Sequence, residues 1–180
     1  AAEALGLRSL MLYSHARRGA RRAPGGAFVP LEAQDTSRWE LPLLERAEAL
    51  LSRAAALGKP GRYQLEAAIQ AVHTDRARTG RTDWDALVAL YRGLLAFAPT
   101  LGTICGFAAV LDRVGRSVEA LAQLDRVAGD AARFQPWWAV RAEVLRRTDA
   151  AGAAAAYGRA VELTSEPAVR DWLVHRGTTA

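Results

Sequence analysis

Three sets of positions in this chain recur at a fixed step of 33 residues: Leu87, Ala120 and Ala153; Tyr91, Leu124 and Tyr157; Leu94, Val127 and Ala160. Within each copy the second position lies four residues after the first, and the third lies three after that. Such spacing keeps returning to one face of an α-helix. A step of this length, repeated, makes each copy one stacked helical unit. The clearest copy is DWDALVALYRGLLAFAP at 83–99, where Leu87, Leu90, Tyr91, Leu94 and Leu95 fall on one side. Thr82 with Asp85 reads as a capping pair at its start, and Pro99 ends it because proline cannot continue a helix.

The pattern is that of tetratricopeptide (TPR) type helical hairpins. The spacing pairs a helix from Tyr63 to about residue 77 with 83–98, then 101–113 with 117–129, then 136–147 with 150–163. Gly115 marks the second turn, and Trp137, Val140 and Val144 keep the first-helix pattern of the third hairpin. Gly102, Thr103 and Gly106 predict a weak helix at 101–113, since each glycine costs about 1 kcal/mol against alanine. A last helix over 166–176, capped by Thr164-Ser165-Glu166, turns Val169, Trp172 and Leu173 inward and Arg170, Asp171, His175 and Arg176 to water. Gly177–Ala180 should fray. Ahead of the repeats, a helix over 3–22 ends in arginines and Pro24-Gly25-Gly26 breaks it. Phe28 to Asp35 reads as an extended linker, and a Ser37-x-x-Glu40 capping box opens a helix over 38–57 closed by Gly58. The expectation is an all-α fold: a TPR-like helical-hairpin solenoid of about nine helices, with two N-terminal helices and a C-terminal capping helix. Residues 1–59 would be the N-terminal helices and linker, packed on three hairpins plus cap at 60–180, as one structural domain overall.

Composition narrows the chemistry. With 180 residues and 51% hydrophobic content the chain can bury a sizeable core. No apolar run approaches the roughly 18–20 residues of a membrane span, and no signal peptide is visible, so a soluble protein with no membrane partner is expected. Cys105 is the single cysteine, which points to a reducing, cytoplasmic setting and to a small buried hydrophobe rather than a reactive thiol. His15, His73 and His175 are scattered, and no nucleophile elbow, zinc-protease motif, phosphate loop or paired-cysteine motif occurs. The reading is therefore no enzyme, with no catalytic residues, cofactor or metal. Of the formal charge of +5, residues 1–26 carry +4, through Arg8, Arg17, Arg18, Arg21 and Arg22 against Glu3. That cluster reads either as a contact for phosphates or an acidic partner, or as a solvated helix end. No aromatic residue is interleaved to stack on bases. The chain begins without a methionine, inside a helical pattern, and reads as part of a longer polypeptide.

Several stretches together resemble the C-terminal extension of bacterial extracytoplasmic-function (ECF) RNA polymerase sigma factors. They are EALGLRSLMLYSHARRGAR at 3–21, LEAQDTSRWE at 31–40, GRYQLEAAIQAVH at 61–73, TDWDALVALYRGLLAFAP at 82–99, RAEVLRR at 141–147 and AAYGRAVEL at 155–163. The first four are specific, because a generic TPR repeat requires neither Gln34-Asp35 with Trp39 nor Tyr63-Gln64-Leu65 with His73. The resemblance implies a regulatory domain of a sigma factor that controls promoter-specific transcription initiation through protein contacts. Its partners would be the sigma core of the same polypeptide, RNA polymerase or a separate regulatory protein, with DNA contacted by the full-length factor. At 100–109 the chain reads TLGTICGFAA where that family carries an Asn-Arg pair. The positions implied for partner binding are His15, Arg17, Arg18, Gln34, Asp35, Trp39, Tyr63, Gln64, His73, Asp83 and Trp84. A structural alternative makes Gln34, Asp35, Gln64 and His73 one buried polar cluster that pins the linker onto the third helix. Two other functional readings are a stand-alone TPR-like scaffold and nucleic-acid contact through the arginine cluster.

Overall fold

The hydrophobic stripes do form helices. A computed structural model describes residues 1–179, and among them there are nine helices of nine residues or more and no β-strand. The fold is all-α and of the helical-solenoid kind. The helices fall into two compact units, with the division after Ala98. The first unit holds Ala1–Ala23 and Val29–Ala98, so the hairpin over 62–97 belongs with the N-terminal helices.

In the first unit α1 (Ala2–Ala16) packs against both α2 (Leu41–Ala55) and α3 (Arg62–Thr74), while α5 (Trp84–Phe97) packs on α3. Small side chains permit this. Ser9, Ala16, Ala47 and Ala54 are fully buried, and the Ser9 hydroxyl donates to the Ala47 carbonyl at 2.7 Å. A Cβ at Gly6 would sit 2.8 Å from the Gln64 backbone nitrogen, so only glycine allows α1 that close to α3. The open N-terminus of α3 has no cap of its own. The Glu3 carboxylate supplies one, accepting from the backbone N–H groups of Tyr63 at 3.0 Å and Gln64 at 3.2 Å.

Several helix ends differ from the expectation. The first helix stops at Ala16, not residue 22, and Arg18–Ala20 is a tight 3-10 turn. Arg38 holds that turn by donating to the carbonyls of Gly19 and Arg22. The Ser37-x-x-Glu40 box does not form. Asp35 accepts from the Ser37 N–H at 2.9 Å and its hydroxyl at 2.7 Å, closing a 3-10 turn over Thr36–Arg38. Such short-range side-chain bonds compete with helix capping, and α2 starts only at Leu41. Asp83, rather than Thr82 with Asp85, caps α5, accepting from the Ala86 N–H at 2.9 Å. Between them α4 (Arg76–Thr79) is a single turn that ends on Gly80 at φ 73°.

The second unit contains Pro24–Phe28 and the chain from Pro99. Here α6 (Leu101–Arg113) pairs with α7 (Ser117–Asp125), α8 (Gln135–Leu145) with α9 (Ala150–Leu163), and α10 (Pro167–Thr178) closes on α9. Five of the six repeated positions in this unit belong to its core, Ala120, Leu124, Ala153, Tyr157 and Ala160 all being buried, whereas Val127 falls past the end of α7 and is half-buried. The Trp137 indole N–H donates to the Leu124 carbonyl at 3.0 Å, which ties the third hairpin to the second. The helix expected to be weak, α6, buries a long face that includes Ile104, Phe107, Val110 and Leu111. Packing offsets its glycines, and the Thr100 hydroxyl caps it at the Thr103 N–H. Cys105 is part of that core, with its thiol pushed up to about 11 by burial. Arg176 does not face water alone. It meets the Glu143 carboxylate at 2.8 and 3.0 Å, and Tyr157 donates its hydroxyl to the same carboxylate at 2.5 Å. Helix α10 continues through Gly177, where a Cβ would come within 3.2 Å of Tyr157, so this part of the expected fraying segment is packed. Ala180 lies outside the described residues.

Candidate functional site

All eleven residues singled out in the sequence lie in the first unit, and eight of them fall in three places. The first is the linker. Gln34 is buried, accepts from the Trp39 indole N–H at 3.2 Å and donates to the Val29 carbonyl at 3.3 Å. Trp39 is buried under the Arg76 guanidinium, whose centre lies 5.2 Å from the ring. Arg76 also donates to the carbonyls of Glu32, Leu31 and Gln34 at 2.6, 3.0 and 3.2 Å. Asp35 stays at the surface, with its carboxyl held down by the Ser37 hydroxyl and N–H.

The second place is the start of α3. Tyr63 and Gln64 receive Glu3 through their backbone, and the Gln64 side chain donates to the Lys59 carbonyl at 2.6 Å. Arg62 lies over the Tyr63 ring at 5.3 Å.

The third place gathers Arg17, His73 and Trp84. Arg17 follows the last turn of α1 and is only 7% exposed. One of its terminal nitrogens donates to the Gln70 side-chain carbonyl on α3. Burial, then Arg21 and Arg76, lower it to about 10. His73 stands edge-on to Trp84, with centroids 6.2 Å apart. Burial, with Arg17 and Arg76 beside it, pushes its imidazole down to about 4, so it is neutral at pH 7. His15 and Arg18 are exposed, and Asp83 serves as the cap of α5.

The single cluster of Gln34, Asp35, Gln64 and His73 therefore does not form. Gln34 belongs to the linker, Gln64 to the α1–α3 junction and His73 to the arginine group. The residue that pins the linker is Arg76, which joins the first and third places. Nothing in its local sequence marks it, because its four partners come from residues 31–39 and are set by the fold. The N-terminal arginines are not all presented to solvent: Arg17 turns inward, while Arg8, Arg18 and Arg21 are exposed.

Beside these groups the first unit has an open cleft of about 760 Å³. Its walls include apolar Tyr13, Leu44 and Val72 and acidic Glu45, Glu48 and Asp83. Burial and Glu48 push the Tyr13 hydroxyl up to about 12. Among the described residues no group of three or more His, Cys, Asp or Glu side chains is placed to hold a metal. No described helix is long and apolar enough to cross a membrane. The arrangement thus combines buried and half-buried cationic groups, an edge-to-face His73–Trp84 pair and an open cleft.

Residues 1–55 match the model of a family described as of unknown function (DUF6596). An uncharacterised protein of Rhizobium meliloti (strain 1021) is 33% identical over 165 residues, which is 91% of this chain and 39% of the relative. The chain thus spans well under half the length of the curated relative that it matches. No solved structure matches it.

Proposed function

We propose that this chain is the regulatory C-terminal part of an extracytoplasmic-function sigma factor, acting through protein contacts in the bacterial cytoplasm. In this reading it catalyses nothing and needs no cofactor. Its helices hold surfaces that engage the sigma core of the same polypeptide or RNA polymerase, and the full-length factor contacts the promoter.

The observation that carries the reading is the convergence of the two most specific stretches, LEAQDTSRWE and GRYQLEAAIQAVH. The first is folded against α4 by Arg76 stacked on Trp39. The second supplies Gln70 to Arg17 and His73 to Trp84. Gln34, Trp39 and His73, which a plain helical repeat would not require, thus all neighbour Arg76, while Tyr63 and Gln64 serve the start of α3. The relative's greater length supports the same view, since it leaves room for other regions in such a protein.

The test is run-off transcription on genomic DNA fragments with purified RNA polymerase and the full-length polypeptide. The proposal expects promoter-specific transcripts that are lost or deregulated when this segment is deleted. Transcripts unchanged by the deletion, or none from the intact polypeptide, contradict it.

A further inference from the structure

Arg17 is the one side chain, among the described residues, with a fully buried polar atom that has no hydrogen-bond partner: its Nε. The side chain is 7% exposed, and its neighbours are of the wrong kind. The charged groups felt by Arg17 are Arg21 and Arg76, both cationic, and those felt by His73 are Arg17 and Arg76. Its own hydrogen bond goes to a neutral amide, Gln70. A buried guanidinium normally sits against a carboxylate, because removing an unpaired charge from water costs several kcal/mol. The C-terminal end of α1 gives partial compensation through its carbonyl dipoles. Among the described residues, no carboxylate is one of the charged groups that act on Arg17 or His73.

The free Nε–H points from the side edge of the guanidinium, the edge that grips two oxygens of a carboxylate or phosphate together with a terminal nitrogen. His73 and Arg76 approach this group from α3 and α4, and both are half-buried. We propose that Arg17, with His73 and Arg76 around it, is a receptor for a small oxyanion, the phosphate or carboxylate end of a ligand. The side chains over the fully buried Nε must move aside to admit the anion, which then takes the Arg17 Nε–H, offsets part of the charge of the two guanidinium groups and favours a protonated His73 beside it. Arg76 then couples the site to the linker, because the same side chain holds the carbonyls of Leu31, Glu32 and Gln34. This site stands on the buried, unpartnered Arg17 Nε and its cationic surroundings and does not depend on the transcription reading.

The experiment is NMR of the full chain labelled with ¹⁵N-arginine, following Nε–H resonances as inorganic phosphate or acetate is added at constant ionic strength against chloride. The Arg17 resonance, identified by its absence in Arg17→Lys, should shift saturably with one or both oxyanions and not with chloride. A stronger response to phosphate assigns the ligand end to phosphate, and a stronger response to acetate assigns it to carboxylate. Arg17→Lys keeps the charge but loses the Nε–H edge, so apparent affinity, followed by the thermal midpoint, should fall about tenfold or more. No saturable shift with either anion, or the same drift with chloride, overturns the proposal. Where the variant fails to fold, through-bond assignment from the Arg17 backbone in doubly labelled wild type identifies the resonance, so the wild-type titration still decides.

Discussion

The Glu3 carboxylate accepts the backbone N–H of Tyr63 at 3.0 Å across sixty residues of sequence, so the first helix caps the third. Gly61 leaves room for it, since a Cβ there would lie 2.5 Å from the Glu3 carboxyl carbon. Glu3→Ala should cost about 1–2 kcal/mol, the scale of a lost helix cap. Gly61→Ala expels the same carboxylate, so the double variant should be little worse than the worse single one. Urea unfolding of all four proteins measures this; fully additive losses contradict the cap.

Two glycine substitutions should act in opposite directions. Gly6→Ala forces α1 off α3, because the new Cβ has backbone 2.8 Å away, and should cost about 1–3 kcal/mol. Gly158 lies within α9 with nothing inside 4 Å of its added Cβ, so Gly158→Ala should stabilise by up to about 1 kcal/mol. Thermal midpoints should move down for the first and up for the second.

His73 makes stability pH-dependent, with a sign fixed by its surroundings. Burial, Arg17 and Arg76 hold it at about 4 in the fold, against 6.5 for an ordinary histidine. Between those values the unfolded chain binds the extra proton, so stability rises with pH and is lost on acidification from pH 6.5. The full effect is about 3 kcal/mol. Comparing wild type with His73→Gln in urea between pH 6.5 and 4.5 isolates it: the wild type should lose more. Equal losses would contradict a buried neutral imidazole.

Glu143, at the far end of the chain, makes stability depend on pH in the same sense but through a carboxylate. Burial would raise its carboxyl, but the bonds from Arg176 and Tyr157 outweigh burial and hold it below its ordinary value. That stabilisation is present above the unfolded carboxyl range and is lost as pH falls through the folded value. Glu143→Gln should cost about 1–2 kcal/mol at pH 7 and loosen α10 first. Amide exchange of residues 167–178 should then quicken more than that of α6.

The repeat was legible because burial wrote it: Leu87, Ala120 and Ala153 keep their step, and all three are fully buried. Caps were less legible. Ser37 and Glu40 have the spacing of a capping box, yet Asp35 takes the Ser37 N–H locally first. Arg176 read as a solvated residue because its partner Glu143 is 33 positions away on another helix. The same holds at the candidate site. His73, Arg17 and Gln34 stood out as residue types, but their grouping depends on Arg76, which earns its role only through contacts made after folding. The split after Ala98 left no mark either, since one repeat pattern runs on both sides of it.

The most direct test of the regulatory reading is to isolate the full-length polypeptide from its source cells through a chromosomal tag and quantify what travels with it. The account predicts RNA polymerase subunits in near-stoichiometric amounts, falling away when Arg76→Ala releases the linker or when this segment is deleted. A polypeptide that purifies free of polymerase under all growth conditions would contradict it and leave a helical-repeat scaffold with another partner.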